Sequence, residues 1–393
     1  MKNLILFLLY FIQFEFIYGE HLISVEPTTI GISQKVEQGK YFATNVKING
    51  HAVEGKFLID TGSETIIMAD LAQKAGVHTR KRKEITDGYE IVPVMAGKAD
   101  ITIDNIDLNG VRVNVIEDYD LGIGRFDSVV GIIGHNLMKN CGWKFTSDSV
   151  MIIPDIKRRD TFHGFNCTKL DLQAGSIPYI ILTFGRPRFT CLLDTGDDGF
   201  VQIPEFLKDY VSPAVIRRGR GRAVSMLFGD QNADNTSVYE IIKTDEMEIA
   251  GCKIKNPVAY IESNEEGSAL GSQLFDYFET VLDFQNKRIF LKPLENEYDS
   301  EKWKIFGFNI DVTPGGVFVR LVWEDSPAWE AGIRPGDQLI TLNSHDYQRL
   351  DSISSPAVYA GFQDELKKEV MEITLKHGTN EPRHITLKKK QLF

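Results

Sequence analysis

Hydrophobic and polar residues follow the same order twice along the first 293 residues of the chain. In the first copy, a strand-like segment from Gly39 to Lys47 leads through a turn at Asn49-Gly50 into the apolar run Phe57-Leu58-Ile59. The second copy has a segment from Gly175 to Phe184, a turn at Gly185-Arg186-Pro187 and the apolar run Cys191-Leu192-Leu193. Each copy therefore predicts two strands joined by a turn.

The correspondence continues downstream of each apolar run. Val129-Val130-Gly131-Ile132-Ile133-Gly134 in the first copy is matched by Gly267-Ser268-Ala269-Leu270-Gly271 in the second. A short amphipathic stretch and a strand pair then follow, ending at Pro154 and Pro293. A repeat of this length predicts two homologous, mainly β lobes.

Each apolar run ends in the same tripeptide, Asp60-Thr61-Gly62 or Asp194-Thr195-Gly196. The tripeptide alone fits an ordinary Asp-Gly turn, but the spacing from each aspartate to the last downstream glycine, 74 and 77 residues, places both in one repeated setting. Two carboxyls brought face to face cannot both ionise easily, so one keeps a proton while the other acts as a base. Such a pair can activate a water for amide hydrolysis, with Thr61 and Thr195 hydrogen-bonding across to the opposite turn.

The residues after the two tripeptides differ. Ser63 has a hydroxyl that can hydrogen-bond the adjacent carboxylate, whereas Asp197 and Asp198 bring further negative charge. An extra carboxylate close to the pair would raise its proton affinity, bind a cation or prevent reaction at neutral pH. The alternative is that Asp197 points outward and begins the next segment.

The pattern changes beyond Pro293. A charged connector at 295–302 precedes a predicted short helix that begins at Ser326-Pro327 and ends at Gly332. A turn at Pro335-Gly336-Asp337 and a strand follow, and 356–368 has helical spacing.

This C-terminal order of helix, turn and strand resembles a PDZ domain of the bacterial protease-associated type. The segment Ile305-Phe306-Gly307-Phe308 resembles the PDZ carboxylate-binding loop, which implies that Phe306, Gly307 and Phe308 bind peptide or protein C-termini. The alternative is a PDZ-shaped packing or spacer domain without a free ligand.

The paired Asp-Thr-Gly lobes resemble the aspartic proteases, in particular a fused single-chain version of the retroviral type, and with the PDZ unit the chain resembles bacterial aspartyl proteases that carry a PDZ domain. The resemblance implies a retropepsin-like β-barrel lobe around each of Asp60 and Asp194 and a peptide cleft between the lobes. It also implies hairpin flaps within 85–99 and 220–239, with Tyr89 as a flap aromatic. The family tolerates a residue like Ser63 but usually has Ala or Ser where Asp197 stands. The resemblance also implies that the residues after each acid support the catalytic loop, namely Thr61, Gly62, Ser63, Thr195, Gly196 and Asp197.

The expected domain boundaries are a signal peptide at 1–19, a first lobe at 20–156, a second lobe at 157–294, a linker at 295–302 and a PDZ domain at 303–393. Lys2 and the apolar run from Leu4 to Ile12 predict the secretory leader, and thus export to the periplasm or the extracellular space. An uncleaved N-terminal anchor is the alternative, and the sequence predicts no other membrane segment.

Charge and cysteine content narrow the function classes. The net charge of −11 argues against nucleic-acid binding. The histidines are scattered and the cysteines are not paired at metal-ligand spacing, so no metal and no cofactor are predicted. Four cysteines in an exported chain allow three disulfide pairings, although Cys191 lies in an apolar run that favours a buried thiol. One basic stretch, the arginines and glycines at 217–222, falls where a substrate-facing loop would lie.

The sequence therefore predicts an exported aspartic endopeptidase that acts on extended polypeptides. The alternative is a catalytically silent scaffold that binds peptides through the cleft and the PDZ groove. A glycosidase would also pair two carboxyls, but it needs neither duplicated Asp-Thr-Gly turns nor a peptide-binding module.

Overall fold

The computed structural model describes residues 23–24, 36–37, 39–86, 91–117, 127–211, 215–222, 236–262, 267–313, 315–348 and 355–393. The predicted leader at 1–19 lies outside these residues. The described chain is mainly β, as the alternating pattern predicts, and no helix in it is long and apolar enough to cross a membrane.

The first half of the chain forms a ten-stranded sheet. Its strands are β2 (Val36–Glu37), β3 (Lys40–Ala43), β4 (Val46–Ile48), β5 (His51–Ala52), β6 (Lys56–Asp60), β7 (Ile66–Met68), β8 (Thr79–Thr86), β9 (Ile91–Ile103), β10 (Ile106–Ile116) and β11 (Val129–Gly134). Helices α1 (Ala69–Lys74) and α2 (His135–Met138) follow β7 and β11. The predicted turn at Asn49-Gly50 is confirmed, and both residues have positive φ, 49° and 81°.

The second half repeats this arrangement. Its strands are β16 (Asp171–Gln173), β17 (Ile177–Phe184), β18 (Arg188–Leu193), β19 (Val201–Gln202), β20 (Val215–Arg222), β21 (Thr236–Lys243), β22 (Glu246–Ile249), β23 (Cys252–Lys255), β24 (Val258–Glu262) and β25 (Ala269–Leu270), and two 3-10 helices span Glu205–Leu207 and Ser272–Asp276. In each half, the strand that leads to the aspartate pairs in parallel with the strand that ends near the downstream glycine: β6 with β11, and β18 with β25. The predicted strand order around each Asp-Thr-Gly is thus present in both halves.

The two halves share a five-stranded sheet at their base. It contains β12 (Gly142–Phe145) and β13 (Val150–Ile153) from the first half, and β15 (Asn166–Lys169), β26 (Phe278–Asp283) and β27 (Arg288–Pro293) from the second. Strands β12 and β26 pair with each other. A further small pair joins β1 (Ile23–Ser24) to β14 (Asp160–Thr161) in parallel. One large hydrophobic core runs through both halves.

The C-terminal unit has a hydrophobic core of its own. Its strands are β28 (Lys304–Ile305), β29 (Phe308–Thr313), β30 (Gly316–Trp323), β31 (Gln338–Leu342), β32 (His345–Asp346), β33 (Val370–Lys376), β34 (Arg383–Lys388) and β35 (Lys390–Gln391), and its helices are α3 (Pro327–Glu330) and α4 (Ser355–Leu366). Ser326 caps α3, because its side chain accepts a hydrogen bond from Trp329 N at 3.2 Å. The predicted helix, turn and strand signals are therefore confirmed.

Residues 295–302, predicted as a linker, pack against the second half. Tyr298 is 5% exposed, and the 3-10 helix Ser300–Trp303 buries Trp303 beside it. The Trp303 ring contacts the rings of Trp323 and Phe393, which extends the large core into the C-terminal unit. The charged residues of this segment are exposed, whereas its one aromatic residue, Tyr298, is buried.

Strand β20 pairs with β30 and joins the second half to the C-terminal unit in one sheet. The Arg220 guanidinium reinforces the joint by donating to Glu324 at 2.6 Å. Gly219 and Gly221 permit the close approach, since a Cβ on Gly219 would lie 2.8 Å from the Trp323 ring and one on Gly221 2.3 Å from the Arg320 carbonyl oxygen. The arginine-and-glycine stretch at 217–222 thus serves this joint.

Replacing Gly221 with alanine is expected to separate β20 from β30 and to destabilise the protein by about 1 to 3 kcal/mol, because the added Cβ meets backbone that cannot rotate away. Chemical denaturation measures the loss. Gly267→Ala is the matched control, since nothing lies within 4 Å of its Cβ position. Equal stability of the two variants would show that the joint contributes nothing.

Candidate active site

The structure brings Asp60 and Asp194 together. Asp60 is the last residue of β6 and is 8% exposed, and Asp194 directly follows β18. The two carboxyls share a hydrogen bond. The approach is so close that a Cβ on Gly62 would lie 2.6 Å from Asp194 Oδ2, and one on Gly196 2.5 Å from Asp60 Oδ2. Glycine is therefore required at both positions.

Thr61 and Thr195 lock the two turns together. Thr61 N donates to Thr195 Oγ1 at 3.0 Å, and Thr195 N donates to Thr61 Oγ1 at 2.9 Å. Each hydroxyl in turn donates to a carbonyl in the opposite half, Leu193 O at 2.5 Å and Ile59 O at 2.8 Å. Both threonines are 0% exposed. The predicted hydrogen bonding between the turns is confirmed.

The downstream glycines lie directly against the loops that follow the aspartates. A Cβ on Gly134 would be 2.2 Å from Ser63 O, and one on Gly271 2.4 Å from Gly199 O. The close passage expected from the sequence is present in both halves. It explains why a glycine ends each downstream segment.

The two carboxyls have different surroundings. Asp60 Oδ1 accepts the backbone N–H groups of Gly62 and Ser63, at 2.8 and 3.1 Å, whereas Asp194 Oδ1 accepts that of Gly196 at 2.8 Å. Burial raises the pKa of both, and the neighbouring Asp60 helps to raise the pKa of Asp194 to about 8. Hydrogen bonds to a carboxylate favour its ionised form. The arrangement therefore favours an ionised Asp60 and a protonated Asp194.

Ser63 and Asp197 follow the two tripeptides, and the Ser63 hydroxyl makes a different contact from the one expected. The Ser63 hydroxyl donates to Glu64 O at 3.0 Å, so the expected bond from this hydroxyl to Asp60 is wrong; the backbone of Ser63 makes that contact. Asp197 is half-buried, and its Oδ1 accepts Gly199 N at 2.7 Å. Burial and the nearby Asp198 raise the pKa of Asp197 to about 6. The charge of Asp197 therefore interacts with that of Asp194, whereas the Asp198 side chain is exposed to solvent.

In each half, the residue after the downstream glycine connects the loop that follows the aspartate to the other half. His135 N donates to Ser63 O at 2.9 Å, and Ser272 N donates to Asp197 O at 2.8 Å. The side chains then reach across: His135 Nδ1 lies 2.7 Å from Ser176 Oγ, and Ser272 Oγ donates to Gly39 O at 2.7 Å. His135 is a buried packing residue between the halves, and burial lowers its pKa.

Sequence reasoning missed Lys40. This lysine is 1% exposed, and its ammonium donates a hydrogen bond to the Gly196 carbonyl within the second Asp-Thr-Gly turn. It lowers the pKa of Asp60, Asp194 and Asp197 relative to burial alone. An alignment of the two halves could have identified it. Lys40 follows Gly39 where Ser176 follows Gly175, so the positive charge is present in only one half.

The predicted flap segments are partly described. Strands β8 and β9 pair in an antiparallel hairpin up to Thr86 and Ile91, and β20 and β21 pair up to Arg222 and Thr236. Tyr89, the proposed flap aromatic, lies outside the described residues, as do residues 223–235.

The predicted carboxylate-binding loop lies between β28 and β29. Phe306 and Phe308 are buried, and Gly307 has a φ of 94°. Helix α4 packs beside β29, where Phe308 contacts Phe362. The Tyr359 hydroxyl accepts Val312 N at 3.1 Å, so an added peptide strand would have to displace it there.

Among the described residues, no group of histidine, cysteine, aspartate and glutamate side chains is arranged to hold a metal ion. All four cysteines are described and carry free thiols, so none of the three possible pairings is formed. Burial raises the pKa of Cys141 to about 11 and that of Cys191 further.

Comparison with known proteins agrees with this geometry. Residues 44–137 match the model of a family described as aspartyl protease. The matched segment contains Asp60 and ends before Asp194. No curated protein shows significant similarity to the chain. The family match supports a hydrolase that acts on peptides.

Proposed function

We propose that this protein is an aspartic endopeptidase in which two homologous lobes each supply one carboxyl of the catalytic pair. The observation that carries the proposal is the shared hydrogen bond between Asp60 and Asp194, held by the reciprocal threonine bonds. The sharing of the base sheet by β12 and β26 supports two fused lobes, because it sets the halves face to face.

The reaction follows from the unequal protonation of the pair. Ionised Asp60 accepts a proton from a water held between the carboxyls, and the water oxygen forms a bond to the carbonyl carbon of the substrate amide. Asp194 donates its proton to the carbonyl oxygen, which yields a neutral tetrahedral diol. The proton on Asp60 then passes to the amide nitrogen, the C–N bond breaks, and a diol hydroxyl returns a proton to Asp194.

The cleavage rate is expected to show a bell-shaped dependence on pH. The rate falls on the acid side as Asp60 becomes protonated, and it falls on the alkaline side above about pH 8 as Asp194 loses its proton. Because the raised pKa of Asp194 keeps the proton in place, activity should extend from mildly acidic pH to near neutrality. Initial rates on an unstructured polypeptide from pH 3 to 10 test this. A rate that rises steadily through pH 9 would contradict it.

The C-terminal unit is proposed to be a PDZ domain that binds peptide or protein C-termini. Support comes from the positive φ of Gly307, the α3 and α4 helices and the position of α4 beside β29. The bond between Val312 N and Tyr359 opposes an open groove and favours the alternative of a packing domain. Titration with one peptide in free-acid and amidated forms separates the two, since a carboxylate loop requires the free acid.

A catalytically silent peptide-binding scaffold is the second candidate function. The observation that favours it is the half-buried Asp197, which brings a third carboxyl to the pair. Extended polypeptides are the proposed ligands in both cases. The N-terminal pattern supports export to the periplasm or the extracellular space, and purification of the mature protein with N-terminal sequencing would locate the cleavage expected near residue 19.

A further inference from the structure

A buried lysine faces the turn that carries Asp194. Lys40 is the first residue of β3, and its side chain reaches out of the first half to the Gly196 carbonyl in the second. A lysine that is 1% exposed is costly unless negative charge lies nearby. Three carboxyls are close enough to act on it, those of Asp60, Asp194 and Asp197.

The position of Lys40 is fixed by backbone contacts. Gly39 O accepts Ser272 Oγ at 2.7 Å, and Ser272 N donates to Asp197 O at 2.8 Å. The start of β3 and the loop after Asp194 are therefore joined through one residue. This fixes the ammonium beside the loop, so that its charge acts at a defined place.

The equivalent contact between the halves, on the side of the Asp60 loop, has the same framework without the charges. Ser176 corresponds to Lys40, and Ser63 corresponds to Asp197. His135 makes the mirrored contacts to these two serines. Lys40 of the first half thus reaches the loop that carries Asp197 in the second half, whereas the corresponding residues, Ser176 and Ser63, carry two neutral hydroxyls. The positive charge of Lys40 therefore occurs together with the negative charge of Asp197.

We propose that the Lys40 ammonium is a built-in counter-charge for Asp197, and that this pair of positioning residues decides which carboxyl of the catalytic pair keeps the shared proton. The inference rests on the proposed function of Asp60 and Asp194. The extra negative charge of Asp197 then does not silence the site, because the Lys40 ammonium at the start of β3 balances it from the other half.

The electrostatic neighbours of Asp197 come from several elements. They are Asp198 and Asp194 on the same loop, Lys40 on β3, the Cys191 thiol on β18 and the Tyr260 phenol on β24. Lys40 is the cation of this set. Its removal therefore leaves three carboxyls without a balancing charge in a buried site.

The two charges act on the catalytic pair in opposite directions. Removing Lys40 raises the pKa of Asp60 and Asp194, so both limbs of the pH–rate profile move to higher pH, by about one unit. Removing Asp197 lowers the pKa of Asp194, so the alkaline limb moves to lower pH.

Four proteins test the inference: wild type, Lys40→Met, Asp197→Asn and the double variant, with Ser176→Ala as the matched control from the opposite half. Methionine and asparagine keep the side-chain volume and remove the charge. We expect the alkaline midpoint to shift in opposite directions in the single variants and to lie close to the wild-type value in the double variant. Ser176→Ala should leave both midpoints in place. Shifts in the same direction, or no shift in either single variant, would overturn the inference.

A second readout does not require cleavage. Asp197 has a folded-state pKa above its unfolded value, so its contribution to stability is full below about pH 4 and is lost as pH rises through about 6. Relative to wild type, Tm should fall progressively with rising pH in Lys40→Met and rise progressively in Asp197→Asn. If wild type cleaves nothing but these trends appear, the proposed function fails and the counter-charge stands. If wild type cleaves and the trends are absent, the reverse holds. Should Lys40→Met not fold, Asp197→Asn and the double variant still give the comparison.

Discussion

Replacing Asp60 with asparagine is expected to lower the rate of peptide cleavage by about a thousandfold or more, since general acid–base catalysis by a positioned group contributes up to about 10⁴-fold. An amide cannot accept the proton of the attacking water. Asp194→Asn should have an effect of the same size, because the proton donor to the substrate carbonyl is lost. Initial rates on an unstructured polypeptide measure both.

The matched control is Asp107→Asn, which removes an exposed carboxyl in the first half. Its rate should equal that of wild type. Because burial raises the pKa of both active-site carboxyls, neither Asp60→Asn nor Asp194→Asn should unfold the protein at neutral pH. Cleavage at the wild-type rate by a folded Asp60→Asn variant would contradict the assignment.

Replacing Thr61 with valine is expected to destabilise the protein by about 2 to 4 kcal/mol, because a buried N–H and a buried carbonyl lose their partners while the volume is unchanged. The affected groups are Thr195 N and Leu193 O. The opposite variant, Thr195→Val, removes the partners of Thr61 N and Ile59 O and should cost a similar amount. Urea denaturation measures the free energy of unfolding.

Thr190→Val provides the control for this pair. Thr190 is exposed on β18, four residues before Asp194, so its replacement should change stability by less than about 0.5 kcal/mol. If Thr61→Val were as stable as Thr190→Val, the reciprocal bonds would not hold the halves together.

Sequence reasoning predicted the local structure around each acid because that structure depends on short-range signals. Apolar runs, Asn49-Gly50, the turn after Phe184 and the Ser326 cap each specify a strand, a turn or a helix end within a few residues. The repeat then supplied the long-range information. Two equal settings of Asp-Thr-Gly indicate that the acids meet, without any knowledge of the intervening chain.

Features that depend on contacts between distant segments were not predictable in this way. Lys40 and Gly196 are 156 residues apart along the chain. Strands β20 and β30 pair although about 100 residues separate them, which is the length of a small domain. Tyr298 is buried, but its charged neighbours in the sequence are typical of a linker, so its burial was not predicted. The Ser63 hydroxyl donates to the neighbouring Glu64 carbonyl, a local backbone contact that serine side chains make in place of a longer-range partner.

We propose that the Asp60 and Asp194 pair cuts peptides and does not merely bind them. The most direct test incubates the purified protein with an unstructured polypeptide from pH 4 to 8 and measures bound and cleaved peptide in the same samples. The proposed function predicts new N-termini that accumulate with time and exceed the amount of protein present. Saturable binding of peptide that stays intact at every pH would contradict it and would favour the silent scaffold.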